Sequence, residues 1–373
     1  MVLLRFFCFF IIFFNIIVSA KTVPQQRHFH RVVVFGDSLN DAGIASVSYQ
    51  DQSGNNNWIQ SQARHGSPVT NQNRQFLSPL WVNVLVKKLA DAGRLDAGPL
   101  LWPVRLLHES ANKKQQEDSV NVDYAYAGAG SGFGFLNDRS HMPFPLDVSG
   151  QCRQPGLFNG LSCIPGQLQQ MTYFFKNHPD VDPSNLYIIW AGANDFFSNI
   201  LKVPEIAKQN GRWLWIESFG MIWQTISTQM RPQSTGGLYY QRPVANVIEA
   251  ARLLHQHGVN RDHILVMGLP DMTLTPYLTE GLRDKAGLRV LIRIMSYLYN
   301  WQLRQNVSQY ADFFSTYSLL TNIIHNNKHF IYHSVSCVDK KQLPFCKGFI
   351  FYDYKHITVA AGDVLASKVN DFL

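Results

Sequence analysis

Apolar residues gather into short continuous runs separated by polar turns. Residues 32–35, Leu186–Trp190 and Ile264–Met267 are runs of this kind, rich in Val and Ile and without polar alternation. A strand that is apolar on both faces is buried on both, as in the interior of a parallel sheet. Between these runs the period lengthens to that of a helix. Trp81, Val84, Leu85 and Leu89 fall on one helical face, behind Ser78-Pro79 as N-cap and first helical residue. Pro243 opens a helix running to about His257, and Gly258 stops it before the next apolar run. A longer helix is predicted over 286–310, a short strand over 312–316, and a closing helix over 357–373 mildly interrupted at Gly362. Strands alternating with helices specify an α/β fold, a three-layer doubly wound parallel sheet.

Four segments carry candidate chemistry. The first apolar run ends in Gly36-Asp37-Ser38-Leu39-Asn40-Asp41, which puts Ser38 at the carboxyl end of a strand, where open α/β sheets bind ligands. Gly36 permits a sharp turn and Asp37 can hydrogen-bond the local backbone. Ser38 is then either a nucleophile or the N-cap of the following segment. Asp353-Tyr354-Lys355-His356 supplies an imidazole with a carboxylate close enough to orient it, or else an ordinary surface pair. Asn194 follows the run Leu186–Trp190, either as an oxyanion donor or as a turn residue closing the strand. Residues 123–132 are small and Gly-rich; they can offer backbone N–H groups to a ligand, or form a loop or close packing. Their spacing fits neither a phosphate loop nor a dinucleotide fingerprint.

Taken in order, FGDSLND around Ser38, DYAYAGAG around Gly128, GAND around Asn194 and DYKH with Asp353 and His356 resemble the four sequence blocks of the GDSL, or SGNH, hydrolases. The resemblance covers about residues 32–371, with Gly268-Leu269-Pro270-Asp271, Thr275-Pro276 and Phe351-Tyr352 as secondary signs. Ala127, Asp123 and Ile357 depart from the usual residues of those blocks, where glycine, asparagine and proline are common. The resemblance implies a flavodoxin-like SGNH fold. It also implies Ser38 as nucleophile, His356 as general base and Asp353 as its orienting carboxylate, with an oxyanion hole from the Ser38 and Gly128 N–H groups and Asn194. Within the superfamily the chain looks most like the secreted bacterial phospholipases A, lysophospholipases A and glycerophospholipid:cholesterol acyltransferases. That branch implies a phospholipid or lysophospholipid substrate, peripheral contact with a membrane surface and a sterol as a second acyl acceptor. An esterase for sugar acetates or small soluble esters is the first alternative. A non-catalytic surface protein on the same scaffold is the second. No cofactor is expected.

The remaining features set the context. With Arg5 near the start, an apolar stretch over 6–18 and Val18-Ser19-Ala20, residues 1–20 read as a secretory signal or, failing cleavage, an anchor. The expected location is secreted or periplasmic, in a Gram-negative bacterium. Residues 21–373 are then one hydrolase domain with insertions near 45–77, 133–166 and 200–242. The polar loop at 46–75 belongs to the first of these. Beyond the signal lie four cysteines, an even number that suggests disulfides with three connectivities. Proximity favours Cys152–Cys163 and Cys337–Cys346 among these; a zinc site is the alternative, against which the lack of C-x-x-C and the expected export both argue. The first pair would close a loop over the site, and the second would hold the Asp353 turn. Residues 211–230 carry apolar side chains at helical spacing, as a lid for an acyl chain or as a core helix. His325, His329 and His333 recur every four residues, but Phe330-Ile331-Tyr332 reads as extended, which argues against a shared metal. A content of 46% apolar and 16% charged residues excludes a disordered chain. The net charge of +7 is scattered, which suits a lipid surface better than nucleic acid.

Overall fold

The computed structural model describes residues 26–41, 80–104, 117–126, 128–132, 166–197, 243–283, 286–326, 328–337, 340 and 346–373. Several expectations lie outside these residues: the signal over 1–20, Ser78-Pro79, the Cys152–Cys163 pair, the 211–230 helix and almost all of the three insertions.

Six strands form the central sheet: β1 (Val32–Gly36), β2 (Leu101–Pro103), β3 (Asn121–Asp123), β4 (Leu186–Trp190), β5 (Ile264–Met267) and β6 (Asp312–Phe314), in the order β2-β3-β1-β4-β5-β6. Every neighbouring pair is parallel. Without β2 the order is the flavodoxin-like 2-1-3-4-5, and β2 is an added strand at its edge. The chain reverses direction across the sheet between β3–β1 and β4, so the switch point lies at the carboxyl ends of β1, β3 and β4. This is the α/β architecture that the alternating pattern predicts.

Side chains along each strand alternate between two cores. Val33, Phe35, Tyr187, Ile189, Ile264 and Val266 face one layer. That layer includes α2 (Gln167–Asn177), α3 (Pro243–Gln256) and α5 (Ala286–Val307). Val32, Val34, Leu186, Ile188, Leu265 and Met267 face the other, where α1 (Trp81–Asp91) and α7 (Val359–Phe372) pack. Between these lie the short α4 (Pro276–Gly281) and α6 (Thr316–Asn326). A second, two-stranded parallel sheet joins β7 (Tyr332–Ser336) to β8 (Phe349–Phe351).

Element boundaries differ from the sequence reading at identifiable places. Helix α1 begins at Trp81, because Leu80 is extended and its N–H donates to the Asn83 side chain at 3.0 Å. Helix α5 ends at Val307, whose carbonyl accepts from both Tyr310 and Ala311 in a closing turn. Strand β6 stops at Phe314, since Thr316 already starts α6. Helix α7 begins at Val359: Ile357 is taken up in an antiparallel bridge to Phe351, and the Thr358 hydroxyl accepts from the Ala361 N–H. Gly362 does not interrupt α7. A Cβ there would lie 3.4 Å from the Trp81 nitrogen, so glycine brings α7 close against α1. The chain leaves α6 at Asn326 and runs extended through β7, so His325 and His333 share no helix face.

Candidate active site

Strand β1 delivers Ser38 through a turn that glycine makes available. Gly36 has φ +155°, and a Cβ on it would stand 2.2 Å from the Trp190 carbonyl oxygen. The close approach to β4 continues when the Asp37 N–H donates to that same carbonyl at 3.3 Å. The Asp37 backbone carbonyl then accepts from both Asn40 and Asp41, winding residues 37–41 into one turn. Its carboxylate Oδ1 accepts from the Leu39 N–H at 3.1 Å. Trp81 on α1 clamps the far side, its indole N–H donating to the Leu39 carbonyl and the Asn40 Oδ1 at 3.1 Å each. Ser38 is therefore held by a hydrogen-bonded turn and does not cap a helix.

On the other side the chain reaches Ser38 from β8. The Asp353 carboxylate accepts from the backbone N–H groups of Lys355 and His356, at 2.8 Å each, which coils 353–356 into a tight turn. His356 Nδ1 lies 2.8 Å from Asp353 Oδ2 and Nε2 lies 2.8 Å from Ser38 Oγ. A carboxylate can only accept, so Nδ1 carries the proton and Nε2 is left to accept from the serine hydroxyl. The Cys337–Cys346 disulfide is formed, and the Cys337 N–H donates to the Phe351 carbonyl at 3.1 Å. It thus grips the strand that leads into the Asp353 turn.

Residues after β3 and β4 complete the pocket around the hydroxyl. The backbone N–H groups of Tyr124 and Tyr126 donate to the carbonyls of Val34 and Gly36, carrying residues 124–126 alongside β1 to its carboxyl end. Gly128 has φ +85°, a conformation that suits glycine. The Asn194 amide donates one proton to the Ala129 carbonyl at 2.9 Å, which ties the segments after β3 and β4 together and leaves its second proton for another acceptor. The N–H groups of Ser38 and Gly128 make no hydrogen bond among the described residues. Such an arrangement can activate a hydroxyl, hold an imidazolium and receive a developing oxyanion.

Several supporting residues have no counterpart in the sequence reading. Gln170 on α2 pairs with the Gly36 backbone through both ends of its amide, accepting from N–H and donating to the carbonyl at 2.9 Å each. Asp195 receives the Ser131 N–H and hydroxyl at 2.9 and 3.0 Å, bracing the Asn194 turn from beneath. Burial pushes the Asp195 carboxyl up to about 6 and the Asp37 carboxyl up to about 7. Lys355 lies inside the Asp353–His356 turn, and its ammonium group sits 4.6 Å from the Phe197 ring centroid and 5.1 Å from that of Tyr277. Glutamine and lysine give no signal of such roles in the sequence, because both residue types are ordinarily solvated until a fold buries them.

Residues of the Ser38 and His356 turns help to line an apolar pocket. Its walls are Leu39 and Trp190, Leu319, Leu320 and Ile323 of α6, Ile350 and Phe351 of β8, Ile357, and Ala361 and Leu365 of α7, with Pro270, Thr316 and the Lys355 stem completing it. Leu39 follows Ser38 and Ile357 follows His356, so the pocket is walled in part by the sequence neighbours of both residues.

Among curated proteins, none is a significant match to this sequence. Residues 32–369 match the family model described as GDSL-like Lipase/Acylhydrolase, a span that includes every residue of the site just described, and the chain belongs to that family.

Proposed function

We propose that this ester hydrolase cleaves fatty acyl esters of phospholipids and lysophospholipids through a Ser38 acyl-enzyme. Family membership makes the chain a carboxylic ester hydrolase. The observation that carries the mechanism is the unbroken chain from Ser38 Oγ to His356 to Asp353. In this mechanism His356 Nε2 takes the hydroxyl proton as Ser38 attacks the ester carbonyl. Asp353 stabilises the imidazolium, and the carbonyl oxygen, now negative, draws on the Ser38 and Gly128 N–H groups and the Asn194 amide. Collapse passes the imidazolium proton to the leaving alkoxide. Water then attacks the acyl-serine with His356 again as base, releasing the fatty acid. A sterol hydroxyl in place of that water would give a sterol ester.

The apolar pocket supports a long acyl chain over an acetyl group. Nearly all of its walls are aliphatic or aromatic, and burying a methylene there is favourable by about 0.8 kcal/mol. Export and peripheral contact with a lipid surface belong to the same reading, supported by the apolar leader over 1–20 and the net charge of +7. No helix among the described residues is long and apolar enough to cross a membrane.

The test incubates wild type and Ser38→Ala with phosphatidylcholine, lysophosphatidylcholine and a series of short to long p-nitrophenyl esters, with and without cholesterol. We expect Ser38-dependent release of fatty acid, rising with chain length. Equal release by both proteins would remove Ser38 from the mechanism. Ser38-dependent turnover of acetate esters with none of the lipids would select the small-ester alternative. Cholesteryl ester formed only by wild type would add the transferase activity.

A further inference from the structure

Lys355 is held in an unusual way. Its backbone N–H belongs to the turn that positions the catalytic carboxylate, donating to Asp353 Oδ1 at 2.8 Å. Its ammonium group lies over two aromatic rings, Phe197 at 4.6 Å and Tyr277 at 5.1 Å, which meet edge to face 5.5 Å apart. Phe197 belongs to the helical stretch that opens at Ala193 and includes Asn194, and Tyr277 is docked by its N–H to the Tyr354 carbonyl at 3.0 Å. The ammonium therefore stands where three elements around Ser38 converge.

Three lysines elsewhere on the molecule are held differently. Lys87, Lys88 and Lys368 each face a carboxylate, on Asp91, Asp363 and Asp371. Lys355 has no carboxylate or carbonyl within hydrogen-bond distance among the described residues. The two nearest carboxylates are committed elsewhere: Asp353 to His356 and the turn backbone, Asp37 to the Leu39 N–H. They act on the ammonium only through space, and burial outweighs them, pushing its pKa down. Ring faces attract a cation but accept none of its three N–H donors in a strong bond. A cation so placed, with no strong acceptor from the described residues, favours an anion that can approach it.

The pocket shows where such an anion would come from. The Lys355 side chain is one of its walls, together with Leu39 beside Ser38 and Ile357 beside His356. In a glycerophospholipid the phosphate is attached to the same three-carbon glycerol as the acyl ester. The leaving alkoxide takes its proton from His356, so with the acyl chain in the pocket the glycerol and its phosphate lie on the side of the 353–356 turn, which carries Lys355. We propose that Lys355 is the phosphate-recognition residue of the site, selecting phosphate-bearing acyl esters over neutral ones; this rests on the reading of the chain as a lipid acyl hydrolase. Lysine binds phosphate as a point charge, and the two rings hold that charge in place.

The experiment compares wild type, Lys355→Met and Lys355→Arg on two substrates with the same acyl chain, lysophosphatidylcholine and monoacylglycerol. A charge-assisted hydrogen bond is worth about 1.5–3 kcal/mol, so Lys355→Met should lower the ratio of kcat/KM for the phospholipid to that for the neutral ester by about tenfold or more. Lys355→Arg should restore most of that ratio. Dodecylphosphocholine should inhibit wild type, and Lys355→Met should weaken that inhibition to a similar degree. An unchanged ratio in Lys355→Met would overturn the proposal, because a lysine that only pins the turn affects both substrates alike. Inorganic phosphate inhibiting as strongly as the lipid analogue would overturn the lipid assignment. Monoacylglycerol hydrolysis in a Ser38→Ala control reads the hydrolase mechanism separately, so failure of either idea is recognisable.

Discussion

The most exposed consequence of the Ser38 turn is the buried carboxyl that precedes it. Asp37 is 2% exposed; Oδ1 accepts the Leu39 N–H, and Oδ2 has no hydrogen-bond partner among the described residues. Burial raises its pKa from 3.8 to about 7, and Asp195 and Asp41 push the same way, while the Leu39 N–H and His356 oppose. At about 1.36 kcal/mol per pH unit, ionising this group in the folded state costs about 4 kcal/mol. That is a large share of the 5–15 kcal/mol that holds roughly any domain together. The folded pKa is the higher one, so between pH 4 and 7 the folded state binds more protons than the unfolded. The contribution of Asp37 is fully present below pH 4 and is lost as pH rises toward 7. Asp37→Asn keeps an oxygen for Leu39 and cannot ionise. Its amide also brings N–H protons to the unpartnered position, a cost of about 1–3 kcal/mol that does not vary with pH. The diagnostic quantity is thus the pH dependence of the difference. Urea denaturation of both proteins from pH 4 to 8 should show Asp37→Asn gaining on wild type across this interval, by about 4 kcal/mol at most, and levelling off above it. A difference that stays constant with pH would refute the reasoning.

Three further outcomes follow from the same geometry. Gly36→Ala forces a Cβ against the Trp190 carbonyl at 2.2 Å in a backbone conformation that costs a non-glycine residue about 1–3 kcal/mol, so melting temperature and ester turnover should both fall; a wild-type melting curve would contradict this. Asp353→Asn leaves the turn nearly isosteric but removes the carboxylate from His356 Nδ1, and single-turnover kinetics should show acylation slowed by about 10⁴-fold with an unchanged circular dichroism spectrum. Replacing Cys337 and Cys346 by Ser should destabilise the protein by about 2–4 kcal/mol in denaturant, with equal midpoints for variant and wild type counting against a structural role.

How much of this was legible in the sequence depended on how local the cause was. Strands β1, β4 and β5 are continuous apolar runs and announce themselves, as does the turn chemistry of Gly36 and Asp37. Strands β2 and β3 do not, because three residues carry no period and β3 begins and ends in polar side chains. Asn121 is buried all the same: its Oδ1 accepts the Val32 N–H, and its amide donates to the carbonyls of Gly98 and Leu100. Polarity there satisfies backbone groups that only the folded sheet brings near. Gln170 has the same explanation, and so do His178, Glu117 and Asp118, whose side-chain contacts join the end of α2 to the segment before β3. The four site blocks were readable one by one. That Asn194 grips Ala129, that Trp81 grips the Ser38 turn and that Lys355 lies between two rings are long-range facts, for which spacing along the chain gives no signal.

The hydrogen bond between Ser38 and His356 spans 318 positions of sequence, and the helix that follows His356 is the one that packs on α1. Ribosomes lengthen a chain N-terminus first at roughly 5–20 residues per second, so a nascent chain carries its serine for roughly 16–60 s before its imidazole is made. For that interval the hydroxyl has no base, and the wall that α7 gives the pocket does not exist. Ester hydrolysis by a nascent or refolding chain would therefore report that the segment from Asp353 onward has docked beside β1 and α1.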